Sequence, residues 1–207
     1  MEVFCPDTHH SSSTTINIEI PHNSRIGVFV SGGMDSTLLY YLLLKEHQLT
    51  KSASVIYPII IMRKADHAHH KIIGKINQIF NYQAPTLRFG NTTLAENKQV
   101  ESAIIQSFTL PPYIQAAFIG LIQVQKEHAI GIEMPITPQH SQIFTPLQHV
   151  DKSHIVELYY RFGISELLTY TFSCDVPGSS PCGICNGCRE RQWGFLKTGR
   201  IDPCTML

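Results

Sequence analysis

The chain has 207 residues, 43% of them apolar, with 16 basic and 16 acidic side chains and a net charge of zero. This length and composition suit one globular domain with a full core and exclude wholesale disorder. The charge balance argues against a strongly basic nucleic-acid binder or a charged tail.

Residues 1–24 are polar and Ser/Thr-rich, and the alternation of Ile16, Ile18 and Ile20 predicts a short edge strand within a loose N-terminal arm. Residues 25–30 (RIGVFV) form a short apolar run bounded by Ser-Gly-Gly, the pattern of a strand buried on both faces. Asp35 or Ser36 is the expected cap of the next helix, which is apolar nearly all round over 38–47 and is therefore buried. A second buried strand is predicted at 53–61. Ile72, Ile73, Ile76, Ile79 and Phe80 recur near 3.6 spacing and predict a helix over 67–82. A strand at 86–89, helices at 94–108 and 113–128, and a strand at 129–134 follow. A Pro-punctuated loop (Pro135, Pro138, Pro146) leads to a helix over 151–162. Strands alternating with helices predict an α/β fold with a doubly wound, mostly parallel sheet.

The longest apolar run, 53–62, is ten residues and holds a Ser and a Pro, whereas a spanning helix needs about 20. The first twenty residues lack a basic region followed by an apolar one, so a cytoplasmic location without membrane attachment is expected. Six cysteines in that compartment read as metal ligands or free thiols before disulfides. The final Cys204-Thr205-Met206-Leu207 has the outline of a prenylation box, but Thr and Met are poor aliphatic positions. Charged residues make up only 15% of the chain, which leaves room for part of the surface to be covered by a second copy.

The strongest local signal is Ser31-Gly32-Gly33-Met34-Asp35-Ser36-Thr37, between a buried strand and a buried helix. In open α/β sheets ligands bind at the carboxyl ends of strands. Two glycines let the backbone approach a ligand, and the N–H groups of a helix start favour an anion. The loop reads as a phosphate cradle, although neither G-x-x-x-x-G-K-[ST] nor G-x-G-x-x-G occurs. Lys152 follows an expected N-cap at Asp151; a cation there opposes the helix dipole, and an anionic ligand would offset that cost.

Cys174, Cys182, Cys185 and Cys188 give C-x7-C-x2-C-x2-C with Gly183 and Gly187 in the knuckles. Four thiolates close a tetrahedral, structural Zn²⁺ site. An iron–sulfur cluster is the rival occupant, since 182–188 matches part of the ferredoxin run. His67, His69 and His70 form a local cluster without a third ligand on one face and read as a solvated helix start.

The S-G-G-x-D-S-T string resembles the pyrophosphate-loop signature of the PP-loop ATP pyrophosphatases, an adenine nucleotide alpha hydrolase-like fold. Further on come Thr145-Pro146-Leu147, Asp151-Lys152-Ser153-His154-Ile155, Thr171-Phe172-Ser173-Cys174 and Pro181-Cys182-Gly183-Ile184-Cys185-Asn186-Gly187-Cys188. Arg189, Arg191, Gly194-Phe195 and Asp202-Pro203 complete the pattern. Together these are similar to the QueC-type 7-cyano-7-deazaguanine synthases.

The resemblance implies an arm or edge strand (1–24), a PP-loop nucleotide-binding domain (25–168) and a zinc-binding segment packed on it (169–207). It implies ATP held by Val30, Ser31, Gly32, Gly33, Met34, Asp35, Ser36, Thr37 and Leu38, with Asp35 near the phosphates and their Mg²⁺. Asp35 and Lys152 are the expected catalytic residues, and Arg189 and Arg191 the expected phosphate contacts. The implied reaction converts 7-carboxy-7-deazaguanine and ammonia to the nitrile at the expense of ATP, in a homodimer.

Two strings depart from the family. Its Tyr-Gly-Gln-Arg-His is replaced in the region of Tyr57-Pro58-Ile59-Ile60-Ile61-Met62-Arg63-Lys64, and its Pro-Gly-Arg-Asn by Leu110-Pro111-Pro112-Tyr113-Ile114-Gln115. Two alternatives therefore stay open. One is a QueC-like enzyme of an antiviral defence system that joins a deazaguanine carboxylate to a protein amine. The other is an inactive zinc-containing binding module.

Overall fold

A computed structural model describes residues 1–6, 12–61, 68–90, 96–123, 142–176 and 180–205. β1 (Glu2–Cys5) and β2 (Thr14–Asn17) form an antiparallel ribbon in which Val3 faces Ile16. A strand does form here, but it is Thr14–Asn17 and holds only Ile16 of the three isoleucines, and its partner is β1 and not the edge of the main sheet. Val3, Cys5, Ile16 and Ile18 are buried in the main core, so the described part of the arm is docked, and Arg161 bonds the Phe4 carbonyl.

The main sheet holds β3 (Arg25–Phe29), β4 (Val55–Ile61), β5 (Leu87–Phe89), β6 (Ala116–Ile119) and β7 (Ile143–Phe144). All pairings are parallel, in the order β5-β4-β3-β6-β7. The period of two divides each strand between two cores. Ile26, Val28, Ile56, Ile60, Ala116 and Phe118 face one core, with α1 (Met34–Thr50), α2 (Ala68–Phe80) and α4 (Lys152–Arg161). Phe29, Ile59, Phe89 and Ala117 face the other, with Ala103 and Ile104 of α3 (Glu96–Thr109). Helices therefore cover both faces, and the sheet is doubly wound.

α1 is buried nearly all round: Leu38, Leu39, Tyr40, Leu42 and Leu43 have no exposed surface, each burial worth about 1.5–3 kcal/mol. Tyr40 fixes the register of α1 against α2 through its hydroxyl, which donates to Asn77 Oδ1 at 2.5 Å. A 3₁₀ segment (Ser165–Tyr170) and α5 (Asn186–Lys197) complete the described core elements. No helix among the described residues is long and apolar enough to cross a membrane.

The helix expected over 113–128 is corrected. Residues Ala116–Ile119 are a strand in the inner position between β3 and β7. A short apolar run does not separate buried strand from buried helix by periodicity; the open slot beside β3 decides it. The strand expected at 129–134 lies outside the described residues.

The Leu110–Gln115 segment is tied to the start of β3. Gln115 Oε1 accepts from the Arg25 N–H at 2.9 Å, and Arg25 Nε donates to the Tyr113 carbonyl at 2.9 Å. Arg25 begins β3, so this segment sits at the amino ends of the strands, opposite the Ser31–Thr37 loop. It does not help to line a pocket at the carboxyl ends.

Candidate functional site

β3 lies where the strand order reverses, between β4 and β6, so the loop after it opens at the switch point of the sheet. Gly32 turns there with φ 80°, the left-handed region that glycine enters without strain. The Gly32 carbonyl accepts from the Phe172 N–H at 2.8 Å. α1 begins at Met34 with Gly33 as its extended N-cap, and no side chain among the described residues caps it. The expected caps are thereby corrected: Asp35 and Ser36 lie inside the first turn.

Ser36 turns back instead. Its hydroxyl accepts from the Ser31 N–H at 3.0 Å, pairs with Ser31 Oγ at 2.9 Å and donates to the Gly33 carbonyl at 3.3 Å. This closes the loop into a fixed ring and leaves the first-turn N–H groups of α1 for an anion. Of the residues expected to hold ATP, Ser31 is exposed, and Gly33 and Asp35 are half-buried. Val30, Gly32, Met34, Ser36, Thr37 and Leu38 are buried behind them.

Lys152 opens α4. Asp151 caps that helix, accepting from the N–H groups of Ser153 at 2.9 Å and His154 at 3.2 Å, and His154 Nδ1 closes a capping box. The cap aims Lys152 inward. Its Nζ donates to both carboxylate oxygens of Asp35, at 2.8 and 2.6 Å, and lies 3.8 Å from Glu190 Oε2. Two residues 117 positions apart thus meet where the starts of α1 and α4 converge. Beneath them the Tyr159 hydroxyl donates to the Met34 carbonyl at 2.8 Å; burial, then the nearby Asp35 charge, pushes its pKa well above the ordinary tyrosine value.

His69 is a residue that sequence reasoning misplaced. It is not part of a solvated helix start: it is buried, with Nε2 2.5 Å from the Ser31 carbonyl. A small cavity of about 30 Å³ lies between it and Phe29, Val30, Ser31 and Ile61. A carbonyl can only accept, so Nε2 carries the proton in this contact. His70 is exposed against Arg88, and His67 lies outside the described residues. The signal for His69 was its place on α2, just past the carboxyl end of β4.

The four cysteines converge: their sulfurs all lie within 4.8 Å of one another, and Cys174 and Cys185 are 3.8 Å apart. Backbone N–H groups point at three of the sulfurs. Cys182 N–H donates to Cys174 Sγ, and Cys185 N–H to Cys182 Sγ, each at 3.4 Å. Cys188 N–H at 3.4 Å and Asp175 N–H at 3.3 Å both donate to Cys185 Sγ. Such donors favour thiolate, and the amides of Ile184 and Cys185 bring Cys182 down to about 6 from 9.0. Burial pushes Cys188 up to about 12.

The two arginines part company. Arg189 is exposed on α5. Arg191 is buried and spends its donors inside the protein, on Asp202 at 2.7 and 2.8 Å, on Thr171 Oγ1 at 2.7 Å and on the Leu168 carbonyl at 3.2 Å. Its guanidinium ties α5 to the 3₁₀ segment and to the C-terminal turn, and is not directed at the Ser31–Thr37 loop.

Residues 103–199 match the family model described as "Queuosine biosynthesis protein QueC". The chain is 31% identical over 74 residues to a 7-cyano-7-deazaguanine synthase of Rhizorhabdus wittichii, covering 36% of this chain and 32% of that one. It is 33% identical over 92 residues to the synthase of Solidesulfovibrio magneticus, covering 44% and 37%. Over these stretches the chain is similar to the QueC-type family. The matched stretches cover about a third of those relatives' own length. Among solved structures, the U34-tRNA thiolase NcsA from Methanococcus maripaludis, with its [4Fe-4S] cluster, superposes with a TM-score of 0.49 at 14% identity, over 84% of this chain and 66% of that one. The matched residues include Lys152 and the four cysteines, whereas the loop at 31–37 precedes them.

The sulfur geometry fits a single metal ion. Thiolates about 2.3 Å from one tetrahedral ion stand about 3.8 Å from each other, the Cys174–Cys185 separation here. A four-iron cluster gives each thiolate its own iron and needs them further apart. Cys174, Cys182, Cys185 and Cys188 would fill all four positions, so the ion would brace the fold and leave no place for a reactant.

Proposed function

We propose that this QueC-type chain is an ATP-dependent ligase that adenylates the carboxylate of 7-carboxy-7-deazaguanine and converts it, with ammonia, to 7-cyano-7-deazaguanine. The observation that carries the reading is the meeting of Lys152 with Asp35 at the uncapped start of α1, beside Gly32 and Gly33. A buried ammonium, two converging helix starts and a ring of main-chain N–H groups suit a triphosphate.

In this reading a carboxylate oxygen attacks the α-phosphorus and pyrophosphate leaves. Ammonia then displaces AMP at the carbonyl carbon and gives the amide. A second adenylation, on the amide oxygen, and loss of AMP give the nitrile. The residues contribute position and charge. Gly32, Gly33 and the first turn of α1 receive the departing pyrophosphate. Lys152, drawn off Asp35 by the incoming phosphates, balances the charge at the α-phosphate, and the Asp35 carboxylate would then be available to hold a Mg²⁺ ion. His69 holds the Ser31 carbonyl and so the entrance of the loop. A Zn²⁺ ion held by Cys174, Cys182, Cys185 and Cys188 would be structural and would take no part in the chemistry.

The departure at residues 57–64 favours one second reading, in which the activated carboxylate meets a protein amine instead of ammonia. The test is incubation of the purified protein with Mg-ATP, 7-carboxy-7-deazaguanine and ammonium, with products followed by mass spectrometry. Nitrile with AMP supports the ligase. Adenylate or amide that goes no further supports the protein-amine acceptor. No AMP overturns both and leaves a metal-containing binding module.

A further inference from the structure

Residues 171–175 run from the phosphate loop to the first cysteine. The Phe172 N–H holds the Gly32 carbonyl at 2.8 Å, and two residues later Cys174 joins the sulfur group. The Asp175 N–H donates to Cys185 Sγ at 3.3 Å, while its carboxylate accepts from the Gly187 N–H at 3.0 Å. This stretch is short, irregular and only half-buried at Phe172, Ser173 and Cys174. Burial alone gives it little rigidity, so its conformation depends on what gathers the sulfurs.

A second path leaves the cluster through α5, whose N-cap is Cys185. A Cβ on Gly194 would stand 2.9 Å from the Lys152 carbonyl and 2.7 Å from Lys152 Cγ, so the two helices touch backbone to backbone there. One turn earlier Glu190 reaches within 3.8 Å of Lys152 Nζ. The four cysteines are thus linked separately to Gly32 and to Lys152, the two parts of the site that would grip phosphates. No cysteine need touch a nucleotide for this linkage to act.

We propose that the metal held by the four cysteines positions the phosphate loop and Lys152, so that metal binding and nucleotide binding strengthen one another. The first half concerns this chain's own segments; the second rests on the reading of the loop as a nucleotide site. Coupling of this kind is reciprocal: if metal improves nucleotide affinity, nucleotide improves metal retention by the same factor.

The first measurement is amide hydrogen exchange on the Zn²⁺-loaded protein and on protein stripped by a chelator, without nucleotide. The Phe172 amide is expected to lose about tenfold or more of its protection on stripping, while Val28 and Ile59 in the sheet keep theirs. Unchanged protection at Phe172 overturns the proposal. Should stripping also open the sheet, replacing Zn²⁺ by the larger Cd²⁺ in the folded protein decides. The Phe172 and Gly33 amide resonances then shift while Val28 stays, and a Phe172 resonance that does not move overturns the proposal.

The second measurement is the Zn²⁺ affinity, by equilibrium competition with a coloured chelator, with and without Mg-ATP, expected to tighten about fivefold with ATP. ATP that binds, by equilibrium dialysis, without tightening Zn²⁺ binding overturns the coupling and leaves the nucleotide reading standing. Protection at Phe172 that follows the metal in a protein that binds no ATP keeps the positioning role and overturns the nucleotide reading.

Discussion

Lys152 Nζ lies within hydrogen-bond distance of both oxygens of the Asp35 carboxylate, with the lysine side chain 6% exposed and the aspartate 20%. The pair closes the gap between two helix starts whose dipoles both favour an anion. It is the contact that incoming phosphates would have to exchange for their own.

Lys152→Met is therefore expected to lower AMP formation by about 10²-fold or more, the usual effect of removing a preorganised charge. It also removes the ammonium that both oxygens of the Asp35 carboxylate accept from. A loss of about 2 kcal/mol is expected, read as a melting temperature lower by about 4–8 °C. Asp35→Asn keeps the shape of the site and leaves Lys152 with Glu190. Its expected signature is a weaker dependence of the rate on Mg²⁺ concentration. Full activity in either variant, measured by AMP release, would remove the pair from the mechanism.

Arg191 and Arg189 should behave oppositely. Arg191→Ala takes the guanidinium away from buried Asp202 and removes the links to Thr171 and Leu168, so a cost of about 3–5 kcal/mol is expected. Arg189→Ala, on an exposed side chain, should leave the unfolding midpoint within about 0.5 kcal/mol of the parent. Denaturant titration of the two variants side by side tests this. Equal midpoints would contradict the structural part given to Arg191.

Gly187→Ala tests the knuckle. An added Cβ would stand 1.9 Å from the Ser173 carbonyl, backbone against backbone, and no side-chain movement relieves that. The start of α5 must shift, carrying Cys188 and Cys185 with it. Metal affinity is expected to fall about 10–100-fold, as it does when groups that orient ligands are lost. Competition against a chelator of known affinity measures it.

Thiol reactivity should differ across the cluster in metal-free protein. The Ile184 and Cys185 amides stabilise the Cys182 thiolate and bring its pKa to about 6, while burial holds Cys188 near 12. At pH 7 alkylation should mark Cys182 first and Cys188 last, with the Cys182 rate falling as pH drops through about 6. Peptide mapping after a short iodoacetamide pulse reads the order.

Elemental analysis of protein purified without added metal is expected to give one zinc per chain. Stoichiometric iron with acid-labile sulfide would replace the single ion by a cluster. The 3.8 Å separation of Cys174 and Cys185 favours zinc.

Much of this chain was legible before folding. The β-rich run at 25–30, the Ser-Gly-Gly turn and the apolar helix behind it are local signals, and each element formed where its pattern lay. The cysteine spacing was equally local: three of the four ligands lie within seven residues, so short-range turns bring their sulfurs together. The Asp151 cap was legible for the same reason, because a cap and the N–H groups it serves are sequence neighbours.

What the sequence left open were questions of partner. Ala116–Ile119 reads equally as helix or strand until a vacant hydrogen-bonding edge beside β3 decides it. The Ile16, Ile18 and Ile20 alternation suggested a strand, but neither its bounds, Thr14–Asn17, nor its partner were readable from it. His69 looked solvated because nothing nearby in sequence covers it; the loop that does, at Ser31, is 38 residues away. Arg191 looked like a phosphate ligand until Asp202, Thr171 and Leu168 were seen to take its donors. Local pattern determined which elements exist, through backbone preference and the placing of apolar side chains. Only packing decided which charges meet, because a buried charge is tolerable only beside its counter-charge, and Lys152 found Asp35 from 117 residues away.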